Sequence, residues 1–248
     1  MKQFLISHYT SNKIKKMNNH YILCGLGSVG KQIIEELRQN GNDVCVIDTD
    51  IDQKNYCNKE ELLFIEGDAS DEEVLKQAGV DKAKGLIAAT GSDATNVFIV
   101  LSARHANKDL FIVARANEKN SLSKLRQAGA DKSSLAHRIS GYHMATMVEH
   151  PSVIDFLDIL TNSSTHSFRI EEVYIREQSS VANTTIKAFF DQTESNISVL
   201  AIFKGSADNY IMNPKDDHII VPGDRLIVMG GREDLDTVLD RIEKPKTE

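Results

Sequence analysis

The fold is decided by His20-Tyr21-Ile22-Leu23-Cys24-Gly25-Leu26-Gly27-Ser28-Val29-Gly30, a short apolar run that breaks into a glycine loop and then a helix. This pattern predicts the first strand and the phosphate-binding turn of a Rossmann unit. Each glycine has a separate role in that turn. Gly25 makes the tight turn, Gly27 lets a pyrophosphate approach the backbone, and Gly30 lets the helix pack closely on the strand.

The residues that follow agree with this interpretation. Lys31 to Asn40 has helical periodicity, Gly41 supplies a C-terminal stop, and Asp43 to Asp48 is rich in β-branched residues. Asp48 ends the second predicted strand, where a carboxylate can accept hydrogen bonds from both hydroxyls of an adenosine ribose. A carboxylate there disfavours NADP, because its negative charge would meet that of the 2′-phosphate with no arginine beside them. In the alternative interpretation the glycines only shape a turn and Asp48 is a solvated loop residue.

Strands and helices continue to alternate in the first half of the chain. The predicted elements are a strand at Leu62 to Ile65, a helix opened by a Ser70/Glu73 capping box and ended by Gly79, a strand at Gly85 to Thr90, a helix from Asp93, a strand at Leu110 to Ala114, and a helix ended by Gly129. Short connections between such elements predict an α/β fold with a doubly wound parallel sheet.

Ligands of such a sheet bind at the carboxyl ends of its strands. The candidate nucleotide-binding residues are therefore Gly25, Leu26, Gly27, Ser28, Val29, Gly30, Asp48, Thr49, Asp68, Ala69, Thr90, Gly91 and Arg115. Asp68 and Ala69 would flank the adenine, Thr90 and Gly91 would approach the phosphates or the second nucleoside, and Arg115 could neutralise a phosphate. Strand ends also carry ordinary caps and surface ion pairs, which is the alternative interpretation of Thr90 and Arg115.

Composition narrows the class of protein. The 248 residues carry a formal net charge of −7, which argues against nucleic acid as a partner. Cys24, Cys45 and Cys57 form no C-x-x-C pair and are expected to be packed, reduced thiols. No apolar run approaches the roughly 20 residues that span a bilayer, so the chain itself is expected to be soluble.

The second half of the chain has a different pattern. Pro151 interrupts the helical periodicity of Gly141 to Leu160 and should kink or split that helix. The remaining elements predict a small α+β domain. Its predicted strands are Phe168 to Ile175, Ile197 to Phe203, Tyr210 to Met212 and Arg225 to Met229, and its predicted helices are Ile186 to Phe190 and Arg232 to Ile242. The predicted organisation is a linker at 1–18, a Rossmann domain at 19–140, crossover helices and linker at 141–164, an α+β domain at 165–243, and a tail at 244–248.

Together these motifs resemble the RCK family, the regulators of potassium conductance in prokaryotic channels and in the Trk/Ktr transporters. The resemblance covers nearly the whole chain. It rests on the glycine loop, Asp48, Gly67-Asp68-Ala69-Ser70, Ala89-Thr90-Gly91-Ser92-Asp93, Ala114-Arg115-Ala116, Leu125 to Asp131, Asn213-Pro214, and Pro222 to Val228 with Gly230.

The resemblance implies a ligand-sensing, gating-ring domain at the cytoplasmic face of the membrane. It implies homodimers that exchange the helices around Pro151, assembly into an octameric ring, and attachment to a channel pore. The first strand is preceded by Lys13, Lys15 and Lys16, which resemble the join to a pore helix and favour a channel. In the alternative interpretation they belong to a disordered tail. A freestanding regulatory subunit of a Trk/Ktr transporter is the alternative.

The identity of the ligand is less constrained. NAD or NADH is favoured, with AMP, ADP or ATP as alternatives. Some family members that take ATP carry an arginine that reaches the terminal phosphate, and this chain has Ser28 at that position, which disfavours a triphosphate. Ca²⁺ is a weaker candidate, with Glu149, Glu171 and Glu172 as its ligands. An NAD-dependent oxidoreductase is a third hypothesis, but the scattered histidines offer no placed proton donor or acceptor, so no catalytic residue is predicted.

Overall fold

The computed structural model describes residues 13–14, 16–161, 168–193, 196–205 and 209–243. Outside the described residues lie most of the predicted linker at 1–18, residues 162–164 of the predicted crossover segment, residues 165–167 of the predicted α+β domain and the tail at 244–248. The chain divides into two compact units, residues 1–142 and 143–248.

The N-terminal unit is built on a six-stranded parallel sheet. Its strands are β1 (Tyr21–Cys24), β2 (Val44–Asp48), β3 (Leu63–Glu66), β4 (Gly85–Ala88), β5 (Phe111–Ala116) and β6 (Lys132–Leu135). They lie in the order β3-β2-β1-β4-β5-β6. This is the strand order of a dinucleotide-binding Rossmann fold, whose order reverses between β1 and β4. The predicted doubly wound sheet is therefore confirmed.

Helices cover both faces of this sheet. They are α1 (Ser28–Gln39), α2 (Gln53–Lys59), α3 (Glu72–Gln77), α4 (Asp93–Ala106) and α5 (Ser121–Gln127), and a further helix, α6 (Ala136–Glu149), follows β6. One apolar cluster packs α3, α4 and α5 on the sheet, and a second packs α1 and α2 on the other face. Burial on both faces explains why the sequences of β1, β2 and β4 are nearly continuous apolar runs.

Several predicted boundaries in this unit were wrong. Strand β6 and helix α2 were not predicted at all. The cap of α3 is Asp71, whose carboxylate accepts a hydrogen bond from the backbone N–H of Glu73 at 2.8 Å, and not Ser70. Strand β4 ends before Thr90, and β5 extends through Arg115, so Arg115 lies within a strand rather than after it.

The predicted split at Pro151 is confirmed. Helix α6 ends at Glu149 and helix α7 (Pro151–Thr161) begins at the proline. Proline is tolerated at a first helical position because its missing N–H has no partner there. Helix α6 starts directly after β6, at Ala136, and none of its side chains is buried.

The C-terminal unit contains an antiparallel sheet of four strands, β7 (Phe168–Tyr174), β8 (Ile197–Lys204), β9 (Tyr210–Met212) and β10 (Asp224–Gly231), in the order β7-β10-β8-β9. Helices α8 (Ile186–Thr193) and α9 (Arg232–Glu243) belong to this unit, as does α7. Its apolar core includes Val173, Ile202, Leu226 and Leu235. The separate small α+β domain is therefore confirmed.

The three cysteines are unpaired thiols inside the N-terminal unit. Cys24 and Cys45 lie in β1 and β2, Cys57 lies in α2, and each is 0% exposed. Burial raises the pKa of the Cys45 thiol to about 12 and that of Cys57 to about 11, and it raises the pKa of Cys24 as well. The expectation of packed, reduced thiols agrees with this placement.

Among the described residues, no helix combines the length and the apolar character that a membrane crossing requires.

Candidate functional site

A cavity of about 480 Å³ lies at the carboxyl ends of the parallel strands, and we call it the nucleotide crevice. It is lined by Gly25, Gly27, Ser28, Ile47, Asp48, Thr49, Gly67, Asp68, Ala69, Ala89, Thr90, Gly91, Ser92, Thr95, Ile99 and Arg115. The structure thus brings together ten of the predicted site residues. Leu26, Val29 and Gly30 are not among the lining residues.

The glycine loop has the geometry that its three glycines predict. Gly25 adopts a φ of +101°, and a Cβ on it would lie 2.8 Å from the backbone nitrogen of Thr90. A Cβ on Gly30 would overlap the carbonyl oxygen of Gly25. Gly27 differs, because a Cβ there would meet no atom within 4 Å. The loop is therefore closely packed on its protein side and open beside Gly27.

Asp48 links the end of β2 to this loop. One carboxylate oxygen accepts a hydrogen bond from the backbone N–H of Leu26 at 2.5 Å, and the other accepts from the N–H of Asp50 at 2.8 Å. Leu26 thus contributes through its backbone, while its side chain is buried. Each carboxylate oxygen has a second lone pair, so Asp48 can still accept hydrogen bonds from two ribose hydroxyls.

Asp68 is held in a similar way at the end of β3. Its Oδ1 accepts hydrogen bonds from the backbone N–H and the hydroxyl of Ser70, both at 2.8 Å. The hydroxyl of Ser102 on α4 donates to the carbonyl of Ser70 at 2.6 Å. These contacts fix the loop that was predicted to flank an adenine.

Asn96 is a buried side chain of α4 that sequence reasoning missed. It is 0% exposed and joins the residues after β4 to β5. Its Oδ1 accepts from the N–H and the hydroxyl of Thr90, at 3.0 and 2.7 Å. Its Nδ2 donates to the carbonyls of Thr90 and Arg115, at 3.2 and 3.0 Å. This amide therefore sets the spacing of two strand ends at the crevice.

Asp93 secures the neighbouring loop. Its carboxylate accepts hydrogen bonds from the backbone N–H groups of Asn117 and Glu118, at 2.7 and 3.0 Å. Partial burial would raise the pKa of this carboxyl, but hydrogen bonds donated by Ser121, Asn117 and Glu118 outweigh it and lower the pKa below its ordinary value. Asp93 therefore remains ionised at neutral pH and orders the chain after β5.

Arg115 provides the cationic group of the crevice. Its Nη2 donates to the amide oxygen of Asn117 at 2.9 Å, and its Nε is buried without a hydrogen bond among the described residues. Its guanidinium group forms no ion pair with a carboxylate of the described residues. Its charge is therefore free to attract an anionic ligand.

The remaining lining residues missed by sequence reasoning come from two sources. Ile47, Gly67, Ala89 and Ser92 each adjoin a predicted site residue along the chain. Thr95 and Ile99 lie on the first turns of α4 and have no strand-end signal. The rule that ligands bind at strand ends finds the first group only.

The three calcium candidates are not brought together. Glu171 and Glu172 are adjacent on β7, so their side chains lie on opposite faces of the sheet. Glu171 lies 3.1 Å from Arg169, and Glu172 lies 3.9 Å from Arg225. The part of the chain that the structure describes holds no group of three or more His, Cys, Asp or Glu side chains suited to a metal ion.

Comparison with known proteins identifies both units. Residues 21–135 match the TrkA-N domain and residues 170–243 match the TrkA-C domain. Potassium channel protein 1 of Methanocaldococcus jannaschii is 34% identical over 234 residues, which cover 94% of this chain and 69% of that protein. Ktr system potassium uptake protein C of Bacillus subtilis is 26% identical over 91% of this chain and 98% of its own length.

A solved structure resembles the N-terminal unit. The TrkA-N domain of the inner membrane protein ybaL from Escherichia coli is 27% identical and superposes with a TM-score of 0.51. It covers 53% of this chain and 98% of its own. These matches confirm the resemblance read from the glycine loop and the downstream motifs. The chain belongs to the RCK family of potassium channel and Trk/Ktr regulatory proteins, with a TrkA-N domain followed by a TrkA-C domain.

Proposed function

We propose that this chain is the ligand-sensing region of a potassium channel, and that an adenine nucleotide in the nucleotide crevice regulates the flow of K⁺. The observation that carries this proposal is the open space beside Gly27, which lies between a tightly packed glycine loop and the carboxylate of Asp48. The channel context is supported by the likeness to a potassium channel protein over 94% of this chain. Such a region would act at the cytoplasmic face of the membrane.

The charges of the crevice favour one orientation of the nucleotide. Asp48 and Asp68 lie at the ends of β2 and β3, whereas Arg115 lies on β5 at the other side of β1. The ribose and adenine would bind beside the two carboxylates, with the phosphates at the backbone N–H groups that open α1. The remaining part of the ligand would extend towards Thr90 and Arg115. NAD or NADH fills this whole path, whereas AMP, ADP or ATP fills part of it.

The lining residues suit binding better than turnover. Hydride transfer needs a His, Lys or Tyr that can exchange a proton beside the nicotinamide. Among the described residues that line the crevice there is no side chain of these types. A bound nucleotide would instead act through the difference in its affinity for two conformations of the assembly, since equal affinity shifts no equilibrium.

We propose that helices α6 and α7 form a dimer interface, and that dimers assemble further into a ring. Large apolar side chains on both helices are exposed, with Val148 at 84% and Phe156 at 51%. Exposed apolar helices of this kind are typical of surfaces that bury against a partner. We expect light scattering at micromolar concentration to give at least a dimeric mass. A monomeric mass would contradict the exchanged-helix interface.

A freestanding regulatory subunit of a Ktr-type transporter is the second candidate. It is supported by the likeness to Ktr protein C, which extends over 98% of that relative. Two membrane helices encoded in frame ahead of Met1 in the native gene would favour the channel. Co-purification with a separately encoded membrane subunit would favour the transporter.

Asp48→Asn tests the nucleotide site. The substitution removes the charge and one acceptor that the ribose hydroxyls need, so we expect the affinity for AMP and NAD to fall at least about tenfold, or about 1.4 kcal/mol. Isothermal titration calorimetry measures this change. Asp52→Asn is the matched control, because Asp52 is exposed nearby and does not line the crevice.

A thermal-shift panel identifies the ligand class. A ligand that binds only the folded protein raises its melting temperature, and the panel comprises NAD, NADH, AMP, ADP, ATP and Ca²⁺. Unchanged affinities in Asp48→Asn, or no shift with any adenine nucleotide, would contradict the proposed site.

A further inference from the structure

We infer that the β4 side of the nucleotide crevice selects a dinucleotide over a nucleoside polyphosphate, and that Thr90, oriented by Asn96, is the residue that selects. The inference rests on the proposed function and adds the class of nucleotide. Its basis is the direction of the hydrogen bonds around one hydroxyl group.

The orientation of the Asn96 amide is fixed by its backbone partners. A backbone N–H can only donate, and the N–H of Thr90 lies 3.0 Å from Oδ1. A backbone carbonyl can only accept, and the carbonyls of Thr90 and Arg115 lie 3.2 and 3.0 Å from Nδ2. Exchanging the oxygen and nitrogen of the amide would break all three bonds, so Oδ1 must face Thr90.

This orientation determines what the hydroxyl of Thr90 can do. Its oxygen lies 2.7 Å from Oδ1 of Asn96 and 3.2 Å from the carbonyl of Ser92, and both of these atoms are acceptors. The single hydroxyl proton is therefore used within the protein. The N–H of Ser92 donates to the same oxygen at 3.3 Å, which occupies one of its two lone pairs. A ligand in the crevice meets a hydroxyl that can accept one hydrogen bond and donate none.

The two nucleotide classes differ in what they offer to such an acceptor. The oxygens of an ionised polyphosphate carry lone pairs only, so they would face the lone pair of Thr90 without a proton between them. The second nucleoside of NAD carries ribose hydroxyls and a carboxamide NH₂, each of which can donate. Arg115 attracts both classes, because both are anionic, and so raises affinity without choosing between them.

Calorimetric titration of the full chain with AMP, ADP, ATP and NAD tests the inference. We expect the wild type to bind NAD more tightly than ADP or ATP. Thr90→Val keeps the shape of the side chain but removes the acceptor, so we expect NAD affinity to fall about five- to tenfold, as for the loss of one hydrogen bond. The affinities for ADP and ATP should not fall, because the same substitution removes the lone pair that would face their phosphate oxygens. Thr90→Ser keeps the hydroxyl and should retain the affinity for NAD.

Asn96→Asp provides a second test of the inference. This variant keeps one acceptor oxygen facing the N–H and the hydroxyl of Thr90, but a second oxygen replaces Nδ2, so the bonds to the carbonyls of Thr90 and Arg115 are lost. We therefore expect a lower stability to urea together with an unchanged preference for NAD over ADP. Loss of the preference for NAD over ADP in this variant would contradict the role given to the hydroxyl of Thr90, because the variant keeps the acceptor that orients that hydroxyl.

The outcomes separate the inference from the proposed function. Tighter binding of ADP or ATP than of NAD, or an equal loss for every ligand in Thr90→Val, would overturn the selection by Thr90 and leave a nucleotide site in place. Failure of the wild-type chain to bind any adenine nucleotide would contradict the proposed function, and the inference with it.

Discussion

Gly30→Ala is expected to unfold most of the N-terminal unit under conditions in which the wild type is folded. A Cβ on Gly30 would overlap the carbonyl oxygen of Gly25, which is a backbone atom and cannot give way as the end of a flexible side chain could. Helix α1 would have to move away from β1. Leu23 of β1 is completely buried in the apolar cluster that it shares with Ile34 of α1. We expect a loss of at least about 4 kcal/mol in the free energy of unfolding, a value seen when a substitution cannot be accommodated. Urea denaturation followed by circular dichroism measures it.

Gly27→Ala is the matched control for this result. The same methyl group is added three residues earlier in the loop, where it would meet no atom within 4 Å. The free energy of unfolding should change by no more than about 1 kcal/mol, the cost of a less favourable residue at the start of a helix. The methyl group would instead occupy the space proposed for the phosphates, so nucleotide affinity should fall at least tenfold, or about 1.4 kcal/mol.

The pair of variants separates the two roles of the glycine loop. If Gly27→Ala destabilised the protein as much as Gly30→Ala, the loop would be uniformly packed and no phosphate space would exist beside it. If Gly27→Ala bound nucleotides as tightly as the wild type, the phosphates would have to bind elsewhere.

Arg104→Ala should produce the second large effect. Arg104 on α4 makes five hydrogen bonds, to the carbonyls of Lys108, Leu110 and Gly129 and to the carboxylate of Asp131. The same carboxylate accepts from the N–H of Ile112 at 2.7 Å. The side chain of Arg104 is only 24% exposed, so in Arg104→Ala the carbonyls would lose hydrogen-bond donors that water can only partly replace.

We expect Arg104→Ala to lower the free energy of unfolding by about 3 kcal/mol, because hydrogen bonds from a charged group contribute more than neutral ones. Arg104→Lys should recover little of this, since an ammonium group cannot span the four acceptors as a planar guanidinium does. Arg126→Ala is the control, because Arg126 is an exposed residue of α5 whose side chain makes no hydrogen bond or ion pair among the described residues. A loss below about 1 kcal/mol in Arg104→Ala would mean that these bonds contribute little.

The sequence predicts the elements whose stability is local. The apolar runs of β1 and β2 and the loop glycines have patterns that few other structures would explain. Strand β6 could not be found in this way, because Lys132-Ser133-Ser134-Leu135 contains one apolar residue. It is a strand because it pairs with Val113 to Ala116 of β5, and that pairing depends on the rest of the fold.

The candidate site was predictable for a related reason, and only in part. Strand ends place Asp48, Asp68 and Thr90 around the crevice whatever the details of the loops. Asn96 could not be recognised, because a lone polar residue in an amphipathic helix usually faces solvent. Its burial follows from a partner 19 residues away, the carbonyl of Arg115, whose position only the assembled sheet defines.

The buried cysteines give the N-terminal unit an intrinsic reporter. Thiolates react with alkylating reagents far faster than thiols, and these three side chains are both inaccessible and protonated at neutral pH. Alkylation of these thiols therefore requires the surrounding sheet to open, and the rate of alkylation reports how often it opens. Cys24 immediately precedes Gly25, so protection of this one thiol by an added nucleotide would register occupancy of the loop in the native chain, without a fluorophore or a mutation.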